Sequence, residues 1–177
     1  MTYQGHPVAG TMSLDVPGWI PLDWVQEDLQ GASGSDLVFA FGHKPIFFPA
    51  SSPADTASTG RDTIFNCGDK MLAQELLSSF RAMDNFVAYL TAHKHLWNKA
   101  QISGPQGSVW QIVAGDGGSE LEKGAEPAFG FTLVEIHASG EVTATPYTRP
   151  VPSDYYYSPT GVGPAKPGAS FTLRSAG

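Results

Sequence analysis

The strongest constraint on the fold of this chain is a pair of short apolar runs, each followed directly by histidines. The first run covers residues 37–41 and precedes His43, and the second covers residues 86–90 and precedes His93 and His95. Neither run alternates with polar residues, which is typical of strands that are buried on both faces. A segment with helical periodicity lies between them, so the sequence predicts a right-handed βαβ unit with two parallel strands.

In such a unit the carboxyl ends of both strands emerge at one edge of the sheet, where open α/β sheets bind their ligands. His43, His93 and His95 are three of the five histidines in the chain, and this topology places them at that edge. Because imidazole is the commonest metal ligand in proteins, we predict a metal site formed by these residues. The alternative is that they are polar edge residues that bind no metal. Histidine ligands suit Zn, Fe and Mn alike, so the metal stays open.

The remaining sequence adds elements to the same α/β domain. Gly115 to Ser119 form a glycine-rich loop in which Asp116 is read as a turn residue, with metal ligation or support of a histidine ring as the alternative. The other expected elements, in chain order, are a helix at 21–29, a mobile loop and candidate lid at 49–62, a helix at 70–84 capped by Asp69, a turn at 100–107, a strand at 108–114, and a hairpin of 129–136 with 141–147.

Composition excludes several classes of function. The net charge of −7 argues against a specific nucleic-acid partner, because binding phosphate backbones requires basic patches. The single cysteine, Cys67, excludes an internal disulfide and a cysteine-based zinc site.

No apolar run approaches the roughly 20 residues needed to cross a membrane. The chain shows no signal peptide, and its localisation stays unassigned. Neither the dinucleotide fingerprint, the phosphate loop nor a serine-hydrolase elbow is present.

The order of these motifs resembles a known family. From about residue 18 to residue 148 the chain looks like the C-terminal half of calcineurin-like metallophosphoesterases, nearest to the purple-acid-phosphatase-like branch. The motifs that carry the resemblance are Gly42-His43-Lys44-Pro45, Ala92-His93-Lys94-His95 and Gly115-Asp116-Gly117-Gly118.

The resemblance implies a fold and a reaction. The fold is a two-sheet α/β/β/α sandwich of mixed strands with flanking helices, of which residues 1–148 form part. Residues 149–177, rich in Pro and Gly, are then a tail or linker, with Phe171 to Leu173 as a candidate edge strand. By resemblance, His43 and His93 bind one metal and His95 binds a second. The implied reaction is hydrolysis of a small phosphoester by metal-activated water.

The chain also departs from the family pattern. Ala92 stands where the family's His-x-His motif usually begins with glycine, which is tolerable only if φ at this position is negative. The upstream Asp-x-His, Gly-Asp-x-x-Asp and Gly-Asn-His motifs are not found, so the bridging aspartate and the general acid are missing. We therefore expect weak or incomplete activity from this chain alone. A homo-oligomer, or a missing N-terminal half, would cover the sheet surface left open. The alternative is a non-catalytic remnant of the fold that binds metal or a partner.

Overall fold

The computed structural model describes residues 2–3, 6–7, 20–47, 63–64, 70–118, 121, 128–151 and 163–177. Within these ranges the elements, in chain order, are β1 (Thr2–Tyr3), β2 (His6–Pro7), α1 (Leu22–Gly31), a short 3-10 helix (Ala32–Gly34), β3 (Val38–Phe41), α2 (Lys70–Arg81), β4 (Phe86–Thr91), β5 (Trp97–Gly104), β6 (Gly107–Ala114), β7 (Ala128–Ile136), β8 (Val142–Pro150), β9 (Lys166–Pro167) and β10 (Phe171–Arg174).

The first sheet contains the predicted βαβ unit. Its strand order is β3-β4-β6-β5. Strands β3, β4 and β6 are parallel, and β5 runs antiparallel to β6. The connection from β3 to β4 contains α2, so the parallel pairing that the apolar runs predict is confirmed.

The second sheet is antiparallel and has the order β10-β8-β7, with β9 also paired to β8. The hairpin of β7 and β8 was expected, and its turn has Gly140 at a φ of +84°. The chain is therefore an α/β protein with one mixed sheet, one antiparallel sheet and two helices of two turns or more in the described ranges.

Two hydrophobic clusters show how these elements are layered. One cluster joins both helices to the first sheet and includes Leu29 of α1, Phe80 of α2 and Tyr89 of β4. The other lies between the two sheets and includes Ile112 of β6 and Leu173 of β10. The helices thus cover one face of the first sheet, and the second sheet covers the other. This burial on both faces explains why β4 reads as a continuous apolar run.

Two sequence expectations need correction. Residues 100–107 do not form one turn, because β5 occupies Trp97–Gly104 and the turn itself is Pro105 and Gln106. The strand was missed because every second side chain, such as Lys99, is exposed and the alternating residues include the small Ala100.

The predicted tail at 149–177 also begins inside β8, and its end forms β9 and β10. The candidate edge strand at Phe171 to Leu173 is confirmed as β10, and Leu173 is buried between the two sheets. The predicted loop at 49–62 and the cap at Asp69 lie outside the described residues.

Gln111 of β6 fixes the segment that follows His43. Its side chain is fully buried. Its Oε1 accepts hydrogen bonds from the backbone N–H groups of Ile46 (2.7 Å) and Phe47 (3.3 Å), and its Nε2 donates to the Phe47 carbonyl (2.6 Å). One side chain in the sheet centre therefore bonds three backbone groups of an irregular segment, and these bonds also satisfy the buried amide of Gln111 itself.

We expect Gln111→Leu to lower the free energy of unfolding by roughly 1–3 kcal/mol, because the N–H groups that Gln111 satisfies lose their acceptor in a buried position. Urea denaturation followed by circular dichroism measures the change. Gln101→Leu is the matched control, since Gln101 is exposed on the neighbouring strand β5. Equal effects of the two substitutions would contradict this account.

Candidate functional site

The carboxyl ends of β3, β4 and β6 meet at one edge of the first sheet. His43 follows β3 by two residues, His93 follows β4 by two residues, and Asp116 follows β6 by two residues. Because the three strands are parallel, all three side-chain positions lie at this edge. The sequence predicted the two histidines here and left Asp116 as a turn residue.

The rings of His43 and His93 are in direct contact. Nε2 of His43 lies 2.9 Å from Nδ1 of His93, and the rings meet edge to face with centroids 4.8 Å apart. His43 is exposed and His93 is half-buried, so the pair faces solvent. At this distance one imidazole nitrogen donates a hydrogen bond to the other.

Contacts from β4 hold the backbone of the His43 turn. The carbonyl of His43 accepts hydrogen bonds from the Thr91 hydroxyl (2.9 Å) and from the Ala92 N–H (3.1 Å). The Tyr89 hydroxyl donates to the Lys44 carbonyl at 2.8 Å. The Tyr89 ring lies against Gly42, where a Cβ atom would overlap the tyrosine oxygen, so glycine is required there. Burial raises the pKa of Tyr89, which keeps its hydroxyl protonated and able to donate.

The backbone at His93 is in the left-handed region. Its φ is +63°, and among the described residues it is the only non-glycine residue with a positive φ. Ala92 does not have a positive φ. The alanine that stands in place of the family's glycine before His93 is therefore tolerated by the backbone. Left-handed conformations cost energy for a residue with a Cβ atom and cluster at functional sites. Here the conformation breaks the strand after Thr91 and turns the His93 ring toward His43.

The structure does not bring His95 into a three-histidine cluster. Across the described residues, no three side chains of His, Cys, Asp or Glu form a group that could hold a metal ion. The pair of His43 and His93 is therefore the part of the predicted site that comes together. The place of His95 in a metal site stays a prediction.

Asp116 is an unusual member of this edge. Its side chain is 1% exposed, and neither carboxyl oxygen has a hydrogen-bond partner in the described part of the chain. It packs against Gly130 of β7, where a Cβ atom would lie 2.7 Å from its Oδ2. Burial raises the pKa of the Asp116 carboxyl. The glycine-rich context in the sequence did not reveal this burial, because it depends on β7 packing over the loop.

No family model matches the chain, and no curated protein matches it. In the described ranges, the two helices are too short and too polar to cross a membrane.

The strain at His93 gives a stability prediction. We expect His93→Gly to be more stable than His93→Ala by roughly 0.5–1 kcal/mol, because glycine adopts positive φ without a steric cost. Chemical denaturation of both variants measures the difference. Ala92→Gly is the control and should have the opposite sign, since φ at Ala92 is not positive. A destabilised His93→Gly relative to His93→Ala would contradict the left-handed assignment.

Asp116 gives a pH prediction. Its pKa is raised in the folded state, so the folded chain holds a proton that the unfolded chain releases above about pH 3.9. Stability of the native protein should therefore fall as pH rises from that value to the raised pKa. Asp116→Asn removes this loss, so it should be more stable than the native chain at pH 7 and show no advantage below pH 3.5 or so. Denaturation of both proteins across this pH range tests the sign, with the exposed Asp84→Asn as control.

Proposed function

We propose that the chain is a phosphoester hydrolase domain of the metallophosphoesterase type that depends on a bound metal ion. The observation that carries the proposal is the contact between His43 and His93 at the carboxyl edge of the first sheet, 50 residues apart in sequence. Metal-binding imidazoles at that edge are what the motif resemblance implies, with these two residues sharing one ion.

The geometry of the pair fits a shared metal ion. If both nitrogens bind the same ion, each at about 2.0–2.1 Å, they must lie within roughly 4 Å of each other. The separation between His43 Nε2 and His93 Nδ1 is 2.9 Å, inside that limit. Both rings are accessible to solvent. Zn, Fe and Mn all accept imidazole ligands, and one or two ions are consistent with the proposal, the second involving His95.

The chain's own residues preorganise this pair. Thr91 and Ala92 fix the His43 carbonyl, and Tyr89 fixes the next carbonyl along the chain. The left-handed backbone at His93 aims its ring at His43. A bound metal ion would lower the pKa of a coordinated water and polarise the phosphoryl group of the substrate. It would also supply the positive charge that a chain with a net charge of −7 needs to attract a small anionic phosphoester.

The layering supports the finer proposal of an α/β/β/α sandwich. Helices, first sheet and second sheet form three successive layers, and the outer face of the second sheet carries aromatic side chains. Phe131 is 54% exposed and stacks on Tyr147 with ring centroids 5.1 Å apart. Leu133 beside them is also exposed. A further helical layer would cover such a face, since exposed apolar patches of this kind mark interaction surfaces.

A second candidate function is metal binding without catalysis. Only two of the predicted ligands converge in the described residues, and the sequence lacks the family's general acid. Two imidazoles alone can hold an ion while most of its coordination is left to water. In this case the chain would bind a metal ion and would not hydrolyse phosphoesters.

The decisive assay measures hydrolysis of p-nitrophenyl phosphate by the full chain with added Zn²⁺ or Mn²⁺. We expect metal-dependent turnover that falls at least about tenfold in His43→Ala and in His93→Ala, because losing even an outer partner of a metal ligand typically costs that much. His137→Ala is the control, since His137 is exposed on the β7–β8 turn and its ring contacts the Thr143 hydroxyl there, on the second sheet. Turnover unchanged in His93→Ala would overturn the site.

Metal content measured by mass spectrometry separates the two candidates. Stoichiometric metal that is lost in the His43→Ala and His93→Ala variants, together with no turnover of any phosphoester, would favour metal binding without catalysis. Metal together with turnover supports the hydrolase. No metal in the native chain would contradict both.

A further inference from the structure

Among the described strands, none pairs with the outer edge of β3. Strand β3 ends the first sheet, and in the described ranges it pairs only with β4. Val38 N–H donates to the Asn85 carbonyl at 2.9 Å, and Gly42 N–H donates to the Leu90 carbonyl at 3.0 Å. Because backbone groups alternate in direction along a strand, the N–H and C=O groups of Phe39 and Phe41 point away from β4, toward the open edge.

The side chains at this edge are apolar. Phe41 is 78% exposed, the most exposed large hydrophobic residue among the described ones. It lines a groove of about 480 Å³ between the two sheets, together with Leu90, Ile112 and Val134. An open strand edge beside an exposed aromatic ring is a template for pairing with another strand.

Charge at the two ends of β3 selects the partner and its direction. Asp36 precedes the strand and is exposed, and Lys44 follows it. A second copy of β3 running antiparallel would bring Asp36 of each copy toward Lys44 of the other, which makes two complementary contacts. A parallel arrangement would instead set like charges side by side, which is destabilising.

We propose that two copies of this chain associate through β3, antiparallel, with the twofold axis at Ala40. In this register Phe39 of one copy faces Phe41 of the other, and the two residues exchange both backbone hydrogen bonds. These hydrogen bonds use the backbone N–H and C=O groups of Phe39 and Phe41, which point away from β4. The same register places each exposed Phe41 ring over Phe39 of the second copy. Cross-strand aromatic pairs of this kind stabilise antiparallel ladders.

The resulting sheet is continuous across the dimer, with eight strands in the order β5-β6-β4-β3-β3-β4-β6-β5. In this register His43, which lies beyond the last residue of β3, is opposite Leu37 of the second copy. The oligomeric state is measured without turnover or metal, so the inference is tested separately from the proposed hydrolase function. The proposal thus names the surface that a homo-oligomer uses, the register of the two β3 strands and the residues that face each other.

Light scattering of the full chain over a concentration series tests the dimer. We expect a dimer whose dissociation constant rises about tenfold in Asp36→Lys and in Lys44→Asp, and recovers in the double variant, because two exposed ion pairs per dimer are reversed and then restored. Phe41→Ser should also weaken it. Phe131→Ser is the matched control, an exposed aromatic residue on the edge strand β7, and should leave the dimer unchanged.

Disulfide trapping tests the register. At the twofold axis the two Ala40 residues form a pair without mutual hydrogen bonds, with Cα atoms about 4.5 Å apart, inside the roughly 4.4–6.8 Å that a disulfide spans. In a Cys67→Ser background, Ala40→Cys should form a covalent dimer on oxidation. Gln101→Cys, on the opposite edge strand β5, should not.

Three outcomes would overturn the proposal. One is a monomer at every soluble concentration. Another is a dimer whose dissociation constant is unchanged in both Asp36→Lys and Lys44→Asp. The third is a dimer that is trapped through Gln101→Cys and not through Ala40→Cys.

Discussion

The parallel pairing of β3 with β4 is the constraint on which the rest of this structure depends. It brings together two chain segments separated by α2, and it sets the edge at which both histidine turns lie. Thr91 and Ala92 continue the contact beyond the last regular residue of β3, because they bond the His43 carbonyl. The helices and the second sheet bury the two faces of this pairing, so hydrophobic burial and the position of the histidines share one cause.

The sequence predicted what depends on local pattern. Apolar runs identified β3 and β4, helical periodicity identified α1 and α2, and the turn at Gly140 identified the β7–β8 hairpin. The pattern failed at β5, where small and polar residues such as Ala100 and Lys99 carry a weak strand signal and only pairing with β6 defines the strand. The candidate edge strand at 171–173 was predicted correctly, but the proline- and glycine-rich composition did not show that Leu173 is buried between the sheets.

The candidate site was predictable in outline. Topology alone placed His43 and His93 at one edge, and the structure adds their contact and the left-handed backbone at His93. The supporting contacts were not predictable, because Gln111 and Tyr89 bond backbone groups distant in sequence. A glutamine within an apolar strand was the available signal, since a polar residue at a buried position requires partners. Its partners, Ile46 and Phe47, are 65 and 64 residues away.

The order of contacts along the chain has a consequence for folding. The β5–β6 and β7–β8 hairpins join neighbours in sequence, so their loops close at small entropic cost. The β3–β4 ladder joins strands that are separated by residues 42–85, and contacts of high sequence separation are slow to form. The edge that carries the two histidines would then assemble after both hairpins. A chain arrested at that stage would possess most of its antiparallel structure while its histidine pair had not yet formed.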